Sequence, residues 1–273
     1  MNAHSSSKSF EILAQRLQEK TGQTLLPNRH WRIESVLQPI MREHAIPDID
    51  ALVSVLSADS SGKLEMDCME AILNNETCFF RDQANFALLT GPVLDKVRES
   101  RENIKKLRIW SSACSFGQEA ISLAIAVAEN RQKWVGWDIE IIATDVSQYA
   151  LKRAKKGLYN QFEVQRGLPI GLLLKYFQQI DQDWQVNQDI LDMVKYRPNN
   201  MVLDDIYLGQ FDLVLCRNMM MYLGEENKAK AFQNIEKAMT PNAYLMLGSS
   251  ETLIGQDGTI EACSDFRGFY KKA

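Results

Sequence analysis

The last two thirds of the chain alternate apolar runs, typical of buried strands, with amphipathic stretches that indicate helices. The first run, 107–113, leads through a turn of small residues into a helix predicted over 118–129. A second run, 139–144, ends at Asp145, and a helix is predicted over 147–156. Alternating strands and helices bury a mostly parallel sheet between layers of helices. The order therefore predicts an α/β fold whose ligands bind at the carboxyl ends of the strands.

The same alternation continues towards the C-terminus, with one interruption. A strand is predicted over 211–216, a helix over 225–239 and a further strand over 244–247. The segment 176–196 breaks the pattern, because Trp184 and a few other apolar residues stand singly among polar ones. This segment suits either a small hairpin inserted into the α/β domain or a helix with irregular flanks, and we favour the hairpin.

The first quarter of the chain lacks strand-like alternation. Apolar residues recur at helical spacing over 9–72, and Gly22, Pro27 and the loop 60–62 separate successive helices. Residues 1–8 carry no such pattern and are interpreted as a frayed tail. We therefore expect a small all-α unit ahead of the α/β domain.

Composition excludes several classes of function. The net charge of the 273 residues is −4, so the basic surface of a general nucleic-acid binder is not expected. No stretch reaches the roughly 18 apolar residues that span a bilayer, and the start has no secretory signal. The five cysteines form no C-x-x-C pair, which suits a reducing cytoplasm. We expect a monomeric cytoplasmic protein with no metal site and no membrane insertion.

Histidine and cysteine chemistry is also constrained. The three histidines are His4, His30 and His44, so neither a Ser-His-Asp triad nor a histidine metal site is expected in the α/β domain. Cys114 and Cys216 each end an apolar run, and either could be a nucleophile or a small buried residue. Their apolar surroundings favour burial.

The turn after the first predicted strand carries one glycine, Gly117, where a dinucleotide fingerprint needs three. A diphosphate would be held poorly there and would be repelled by Glu119. A phosphate-free cofactor with a cationic amino-acid end fits better, which points to S-adenosylmethionine with Glu119 facing its ammonium group. Alternatively, this is an ordinary strand–helix turn with a solvated glutamate. Asp145 suits either the ribose hydroxyls of such a cofactor or the N-cap of the following helix.

Two further segments carry polar residues that the fold does not explain. Arg217 and Asn218 follow the third predicted strand and therefore lie at the carboxyl edge of the sheet. Tyr222 is close enough in sequence to line the same cleft. The segment 75–81 ends with two aromatic residues and Arg81, and an arginine can hold a carboxylate through two parallel hydrogen bonds.

Together, these residues resemble the CheR family, the methyltransferases that act on bacterial chemotaxis receptors. The resemblance covers about residues 9–272 and rests on short motifs in order: Asn75-x-Thr77-x-Phe79-Phe80-Arg81, Trp110-Ser-Ser-Ala-Cys-Ser-x-Gly-Gln-Glu119, Ala143-Thr-Asp145, Gly157-x-Tyr159, Gly167-Leu-Pro169, Tyr176-Phe177, Phe211-Asp-x-x-x-Cys-Arg-Asn218, Tyr222 and Gly248-Ser-Ser-Glu251. The chain departs from the family's usual residues at Phe116, Ala120, Ile121 and Leu223. None of these departures removes a polar group that the chemistry needs, so activity is expected.

The resemblance implies a Rossmann-like S-adenosylmethionine-dependent methyltransferase domain with a small β-subdomain, preceded by a small all-α domain. The expected divisions are a tail at 1–8, a helical domain at 9–74, a linker and connecting helix at 75–103, and a catalytic domain at 104–273 with a β-subdomain at 176–196. The implied reaction converts receptor glutamates into methyl esters and leaves S-adenosylhomocysteine. Cofactor contacts are implied at Asn75, Thr77, Arg81, Glu119, Asp145, Asn200, Met201, Arg217 and Asn218.

The implied reaction makes modest chemical demands on the protein. A glutamate carboxylate is already ionised at neutral pH, so no general base is required. Catalysis then consists mainly of positioning and partial desolvation of the carboxylate. We expect Arg81 to orient that carboxylate and Tyr222 to shape the methyl-transfer site.

The implied partner is the cytoplasmic helical hairpin of methyl-accepting receptors. Basic residues lie along a helical stretch interrupted by Pro39, or near it, and either bind the glutamate-rich receptor or form a solvated face: Lys20, Arg29, Arg32 and Arg42. Some CheR proteins also bind a pentapeptide at the receptor C-terminus, and these tend to have a glycine-containing insertion in the β-subdomain. The corresponding loop here, 178–184, has no glycine, which predicts that no pentapeptide tether is used.

Two other functions are compatible with these residues. A small-molecule or RNA methyltransferase could use the same fold, although the negative net charge argues against RNA. A non-catalytic sensor or scaffold in a signalling array would bind S-adenosylmethionine without transferring its methyl group.

Overall fold

The computed structural model describes residues 3–25, 30–204, 208–253, 255 and 257–273. The chain divides into two compact units. The first comprises Met1–Asn74 and Tyr222–Lys228, and the second comprises Asn75–Met221 and Ala229–Ala273. Within the described ranges, every helix is too short or too polar to cross a bilayer.

The first unit is built from four helices of the N-terminal quarter. Helix α1 spans Ala3–Thr21, α2 spans His30–Glu43, α3 spans Ile49–Ala58 and α4 spans Lys63–Ile72. Helix α1 packs on α3 and α4, and α2 packs on α4. Leu13 and Leu17 are buried at the helical spacing that the sequence predicted. In α2 the buried residues are Ile33, Leu37 and Met41, whereas Trp31 at its start is exposed.

Two of these helices differ from the sequence-based expectation. Helix α1 begins at Ala3, inside the stretch expected to be a frayed tail, because no glycine or proline interrupts its first turns. Helix α2 continues through Pro39, which was expected to interrupt it. Pro39 and Ser35, four residues earlier, are both exposed, so the carbonyl that loses its helical partner can bond to water.

The rest of the chain forms eight helices and ten strands with a few short turns. In chain order they are α5 Gln83–Leu88, α6 Leu94–Arg101, β1 Lys106–Ser112, α7 Gln118–Glu129, β2 Asp138–Asp145, α8 Gln148–Lys156, β3 Leu158–Asn160, α9 Gln161–Gln165, α10 Ile170–Tyr176, β4 Phe177–Ile180, β5 Asp183–Val186, α11 Gln188–Leu191, β6 Val194–Pro198, β7 Phe211–Cys216, α12 Glu225–Ala238, β8 Met239–Leu247, β9 Ile260–Ala262 and β10 Phe269–Lys272. These counts refer to the described residues. The order of strands and helices agrees with the predicted α/β pattern.

Seven strands form the main sheet in the order β6-β2-β1-β7-β8-β10-β9. Neighbours from β6 to β8 are parallel, whereas β10 is antiparallel to both β8 and β9. The sequence did not predict the C-terminal pair β9 and β10, since these strands are only three and four residues long and too short for a periodic pattern. Ser112 pairs with both Thr144 and Cys216, so the carboxyl ends of β1, β2 and β7 meet at one edge. Ligands bind at such an edge, where the strand order reverses at β1.

The hydrophobic core of the second unit buries the middle of the strands, so polar side chains that can bind a ligand lie at the strand ends. All six residues of β7 are buried, as a central strand covered on both faces requires. Ile109 and Ile141 of the sheet belong to the same hydrophobic core as Ile121 of α7. Arg217 follows β7 directly and is therefore the first polar side chain beyond this core.

A separate three-stranded sheet has the order β3-β5-β4. Ile180 pairs with Asp183, so the connection between β4 and β5 is only two residues long, and Asp181 adopts a φ of 54° there. The segment 176–196 therefore contains a hairpin, as favoured from the sequence, but the hairpin is formed only by β4 and β5. The supposed loop 178–184 is the hairpin itself, and β6 belongs to the main sheet. The third strand of the small sheet, β3, comes from earlier in the chain.

Candidate functional site

The turn after β1 has an unusual backbone. Ala113, Ser115 and Gly117 have φ values of 54°, 51° and 89°, a region that L-residues with side chains seldom occupy. A Cβ on Gly117 would lie 2.7 Å from the hydroxyl oxygen of Tyr196 and 2.9 Å from the Cβ of Ala154. Only glycine fits this position, so the single glycine of the turn is required by packing as well as by conformation.

Asp145, at the end of β2, joins two turns of the site. Its Oδ2 accepts a hydrogen bond from the Ser115 N–H at 2.7 Å, and its Oδ1 accepts one from the Ser147 N–H at 2.8 Å. The N-cap of α8 is Ser147, whose hydroxyl oxygen accepts from the Ala150 N–H at 2.9 Å. The N-cap alternative for Asp145 is therefore wrong. Asp145 is 6% exposed and holds the turn after β1 against the turn after β2.

Glu119 belongs to a buried ionic network. Its Oε1 accepts from the Ser111 hydroxyl at 2.7 Å, and its Oε2 lies 3.0 Å from Nη1 of Arg217. Nη2 of Arg217 donates to Asp82 Oδ2 at 2.7 Å and to the Arg81 carbonyl at 2.8 Å. The side chain of Glu119 is only 14% exposed, so the alternative of a solvated glutamate is wrong.

Arg217 is the centre of that network. Its side chain is 2% exposed, and its Nε is buried without a partner among the described residues. Burial alone would lower the pKa of Arg217, but the carboxylates of Glu119 and Asp82 raise it above its ordinary value. A permanently charged guanidinium thus fastens the segment that contains Arg81 to the first turn of α7.

Arg81 lies in a strained segment and keeps its charge available. The flanking residues Phe80 and Asp82 have φ values of 47° and 57°. The Phe80 N–H donates to the Ser122 hydroxyl of α7 at 3.0 Å, which holds the segment in place. The Arg81 guanidinium donates to the Glu76 carbonyl at 3.3 Å and forms no ion pair within the described part of the chain. Strain of this kind, maintained by surrounding contacts, is common at functional sites.

Asn75 and Thr77 begin the same segment. The Ser115 hydroxyl donates to the Asn75 carbonyl at 2.6 Å, so the backbone of Asn75 is bonded to the turn after β1. The side chains of Asn75 and Thr77 are half-buried. The first residue of the 75–81 motif therefore adjoins the turn in which the cofactor was expected.

Asn200 and Met201 follow β6. Oδ1 of Asn200 accepts from the N–H groups of Val202 and Leu203 at 3.0 and 3.2 Å, so this side chain stabilises its own turn. The sulfur of Met201 lies 3.6 Å from the Ser112 hydroxyl and 3.9 Å from the Cys216 sulfur. Met201 thus contacts the carboxyl ends of both β1 and β7.

Asn218 is held by a residue that the sequence reasoning did not single out. Asn218 has a φ of 59°, and its N–H donates to Oε2 of Glu251 at 2.7 Å. Its Oδ1 is buried and has no partner among the residues that the structure describes. In the sequence, Glu251 stands out only as the last residue of the motif Gly248-Ser-Ser-Glu251. Its spacing from Gly248, just past a buried strand, was the signal that could have identified it.

The cysteines of the site are not nucleophiles. Cys114 and Cys216 are 2% and 0% exposed. Burial raises the pKa of both thiols well above its ordinary value. A buried thiol of high pKa is inert, which favours the predicted packing role. No group of metal-ligating side chains occurs in the described ranges.

The remaining predicted site residues belong to the first unit. The Tyr222 hydroxyl accepts a hydrogen bond from the side-chain amide of Asn74. Lys20 lies 3.6 Å from a carboxylate oxygen of Glu65, and Arg32 donates to Asn74 Oδ1 at 3.2 Å. Arg42 is exposed and donates to a carbonyl of its own helix at 3.4 Å. Arg29 lies outside the described residues.

Two observations fit a nucleoside cofactor without phosphates at the carboxyl edge. The turn after β1 places the carboxylates of Glu119 and Asp145 around it, which disfavours a diphosphate and suits hydroxyl or ammonium donors. The buried Oδ1 of Asn218 is an acceptor that still needs a donor. The predicted contact residues in 75–81, 111–119, 145, 200–201 and 217–218 come from five segments of the chain, and their role as cofactor contacts stays a prediction.

A comparison with protein families matches this part of the chain. Residues 75–268 match the model described as "CheR methyltransferase, SAM binding domain". Residues 75–268 hold the predicted cofactor contacts and the segment that ends in Arg81.

Curated relatives extend the similarity to nearly the whole chain. A chemotaxis protein methyltransferase 1 from Pseudomonas aeruginosa is 34% identical over 89% of this chain and 90% of its own length. A similarly named protein from Pseudomonas putida is 32% identical over 90% of each chain. A chemotaxis protein methyltransferase from Vibrio parahaemolyticus is 29% identical over 94% of this chain and 93% of its own.

Proposed function

The chain belongs to the CheR methyltransferase family, and we propose that it transfers methyl groups to glutamate side chains of chemotaxis receptors. Its methyl donor is S-adenosylmethionine, as the family domain requires. The names of the relatives support a role in chemotaxis. The products are glutamate methyl esters and S-adenosylhomocysteine.

The observation that carries the choice of a carboxylate acceptor is the state of Arg81. Its guanidinium forms no ion pair in the described part of the chain, although several carboxylates lie in neighbouring segments. Arg217 forms ion pairs with Glu119 and Asp82, so these two carboxylates are not available to Arg81. An unpaired arginine in a fixed segment suits bidentate binding of an incoming carboxylate.

The proposed reaction needs orientation more than proton transfer. When bound, S-adenosylmethionine supplies a methyl group on a positively charged sulfur. The glutamate acceptor is already ionised at neutral pH, because its reference pKa is about 4.3. Arg81 orients this carboxylate and removes it partly from water, and Tyr222 shapes the methyl-transfer site. No histidine is needed as a base.

The cofactor is held by residues from each strand end. Asp145 binds the ribose hydroxyls, and Glu119 faces the ammonium group while Arg217 fixes its position. The remaining contacts come from the segments that border the turn: Asn75, Thr77, Asn200, Met201 and Asn218. The bonds of Asp145 to Ser115 and Ser147 support this role, because they fix the carboxylate before the cofactor arrives.

The receptor is bound through basic residues of the helical unit. We propose that Lys20, Arg29, Arg32 and Arg42 face the glutamate-rich helical hairpin of the receptor in the cytoplasm. The two-residue turn of the β4–β5 hairpin supports a tether-independent protein, since no extended loop borders its edge strand. The enzyme would then act as a monomer on the hairpin alone.

Radiolabelled methyl transfer tests the proposal. Purified protein, receptor-containing membranes and labelled S-adenosylmethionine should give label on the receptor that is released by mild base, as methyl esters are. A receptor whose hairpin glutamates are replaced by alanine is the matched control and should stay unlabelled. Cofactor binding without any transfer would favour a sensor, and label on RNA or a small molecule would favour another acceptor.

A further inference from the structure

The carboxylate of Glu251 accepts hydrogen bonds from three backbone N–H groups that lie in two loops. Its Oε2 accepts from Asn218 at 2.7 Å and from Gly248 at 2.8 Å, and its Oε1 accepts from Met220 at 2.8 Å. The Glu251 N–H in turn donates to the Gly248 carbonyl at 2.9 Å. One carboxylate thus bonds the loop after β7 to the loop after β8.

The surrounding backbone is shaped to admit this carboxylate. A Cβ on Gly248 would lie 2.6 Å from Oε2 of Glu251 and 2.9 Å from the Asn218 nitrogen. Cys216 pairs with Leu247, so the two loops start side by side at the carboxyl edge of the sheet. Gly248 is therefore needed for the close approach of the loops, and Glu251 supplies the acceptors for the N–H groups that this approach leaves unpaired.

The bonds to Glu251 fix the conformation of Asn218. Asparagine tolerates a φ of 59° better than most residues with a side chain, and the bond from the Asn218 N–H to a charged acceptor holds it in this conformation. The same conformation leaves Oδ1 of Asn218 buried and unpartnered among the described residues. A buried acceptor held in this way is ready for a donor that the protein itself does not supply.

We propose that Glu251 is a positioning residue for the cofactor, acting through Asn218. The inference rests on the proposed function only for the role of Asn218 as a cofactor contact. Glu251 itself touches neither cofactor nor acceptor. Its charge holds the 217–220 loop so that the side chain of Asn218 meets the cofactor in one orientation.

The direct test measures S-adenosylhomocysteine binding to the full chain by calorimetry, with no receptor present. Glu251→Gln keeps the size of the side chain but places an NH2 group against one of the three N–H donors. Its dissociation constant should rise at least about tenfold, because charge-assisted bonds are replaced by a repulsive contact. Affinity within twofold of the wild type in a folded variant would overturn the proposal.

Two comparisons separate positioning from simple destabilisation. Glu236 also accepts a backbone N–H, that of Thr259 at 2.6 Å, and Glu236→Gln is the matched control. It should lower the melting temperature and leave the dissociation constant unchanged. In a protein that already carries Asn218→Ala, Glu251→Gln should raise the dissociation constant by less than about a further twofold. The side chain through which Glu251 acts is then already missing. A full tenfold effect in that background would overturn the route through Asn218.

A second variant guards against a failure to fold. Gly248→Ala pushes a methyl group against Oε2 of Glu251 while leaving the charge in place, and it should also weaken binding about tenfold. Unchanged affinity would overturn the proposal, as would failure of both variants to fold, since Glu251 would then serve the fold alone. Because these binding experiments contain no receptor, their outcome does not depend on whether the receptor assignment is correct.

Discussion

The carboxyl edge of the main sheet and the exposed surface of the helical first unit use charge in opposite ways. At the edge, Asp145 and Arg217 are buried and Glu119 is half-buried, and their charges bond to each other or to backbone N–H groups. In the first unit, Arg42 is exposed and bonds only weakly to its own helix. Buried charges fix one geometry, because removing the partner of a buried charge strongly lowers the stability of the folded protein. Exposed charges define a surface that a partner can neutralise.

The largest effect should follow from breaking the buried network. Arg217→Met keeps the unbranched apolar stem of the side chain but leaves Glu119 and Asp82 without their cation, which should cost about 3–5 kcal/mol of stability. Urea unfolding of the purified protein measures this. A loss below about 1 kcal/mol would mean that the two carboxylates are satisfied without Arg217, and that the network does not fix the Arg81 segment.

The next effect concerns Arg81, whose charge is unpaired within the described residues. Arg81→Ala should lower kcat/KM for methyl transfer about a hundredfold with little change in melting temperature, because the one described hydrogen bond of its side chain is long and its backbone bond to Arg217 remains. Arg81→Lys should restore little, since an ammonium lacks the planar fork. Steady-state kinetics with a receptor fragment provide the measurement. Wild-type turnover in Arg81→Lys would contradict the orienting role.

Asp145 should give a smaller effect, confined to the cofactor. Asp145→Asn keeps one acceptor for the backbone bonds and removes the charge, so S-adenosylmethionine should bind about tenfold more weakly. Calorimetric titration checks the value, and Cys114→Ala in the same turn is a control without hydrogen-bonding changes at the ribose. Unchanged affinity in folded Asp145→Asn would refute the ribose assignment.

Charge reversal on the exposed surface should have a modest effect on the receptor alone. Arg42→Glu should raise the receptor KM about threefold and leave cofactor affinity unchanged. Arg131→Glu makes the same change at an exposed position of the second unit and is the matched control. Equal KM values for the two variants would assign Arg42 to a solvated face.

Removing the C-terminal pentapeptide of the receptor should have no effect on methylation. If no tether is used, a receptor shortened by its last five residues should be methylated as fast as the full-length receptor. A synthetic peptide of those residues should not bind in a calorimetric titration. A micromolar dissociation constant would show that the β4–β5 hairpin binds receptor tails after all.

The same contrast explains which features were predictable from the sequence. Strand 211–216 and helix 118–129 have the bounds that were predicted, because local periodicity and burial agree there. The partners of Glu119 and Glu251 were not predictable, since Arg217 and the Asn218 N–H lie 98 and 33 residues away in the chain. Pairing of β3 with β5 was missed for the same reason. Local patterns predict elements, whereas such contacts depend on the packing of distant segments.

Mapping the methylated residues by mass spectrometry tests the central claim most directly. Receptor incubated with the protein and S-adenosylmethionine should carry methyl esters on glutamates of its helical hairpin, and the Arg81→Ala variant should leave the same sites almost unmodified. Methyl groups on another residue type, or a receptor that remains unmodified while the protein binds its cofactor normally, would contradict the account.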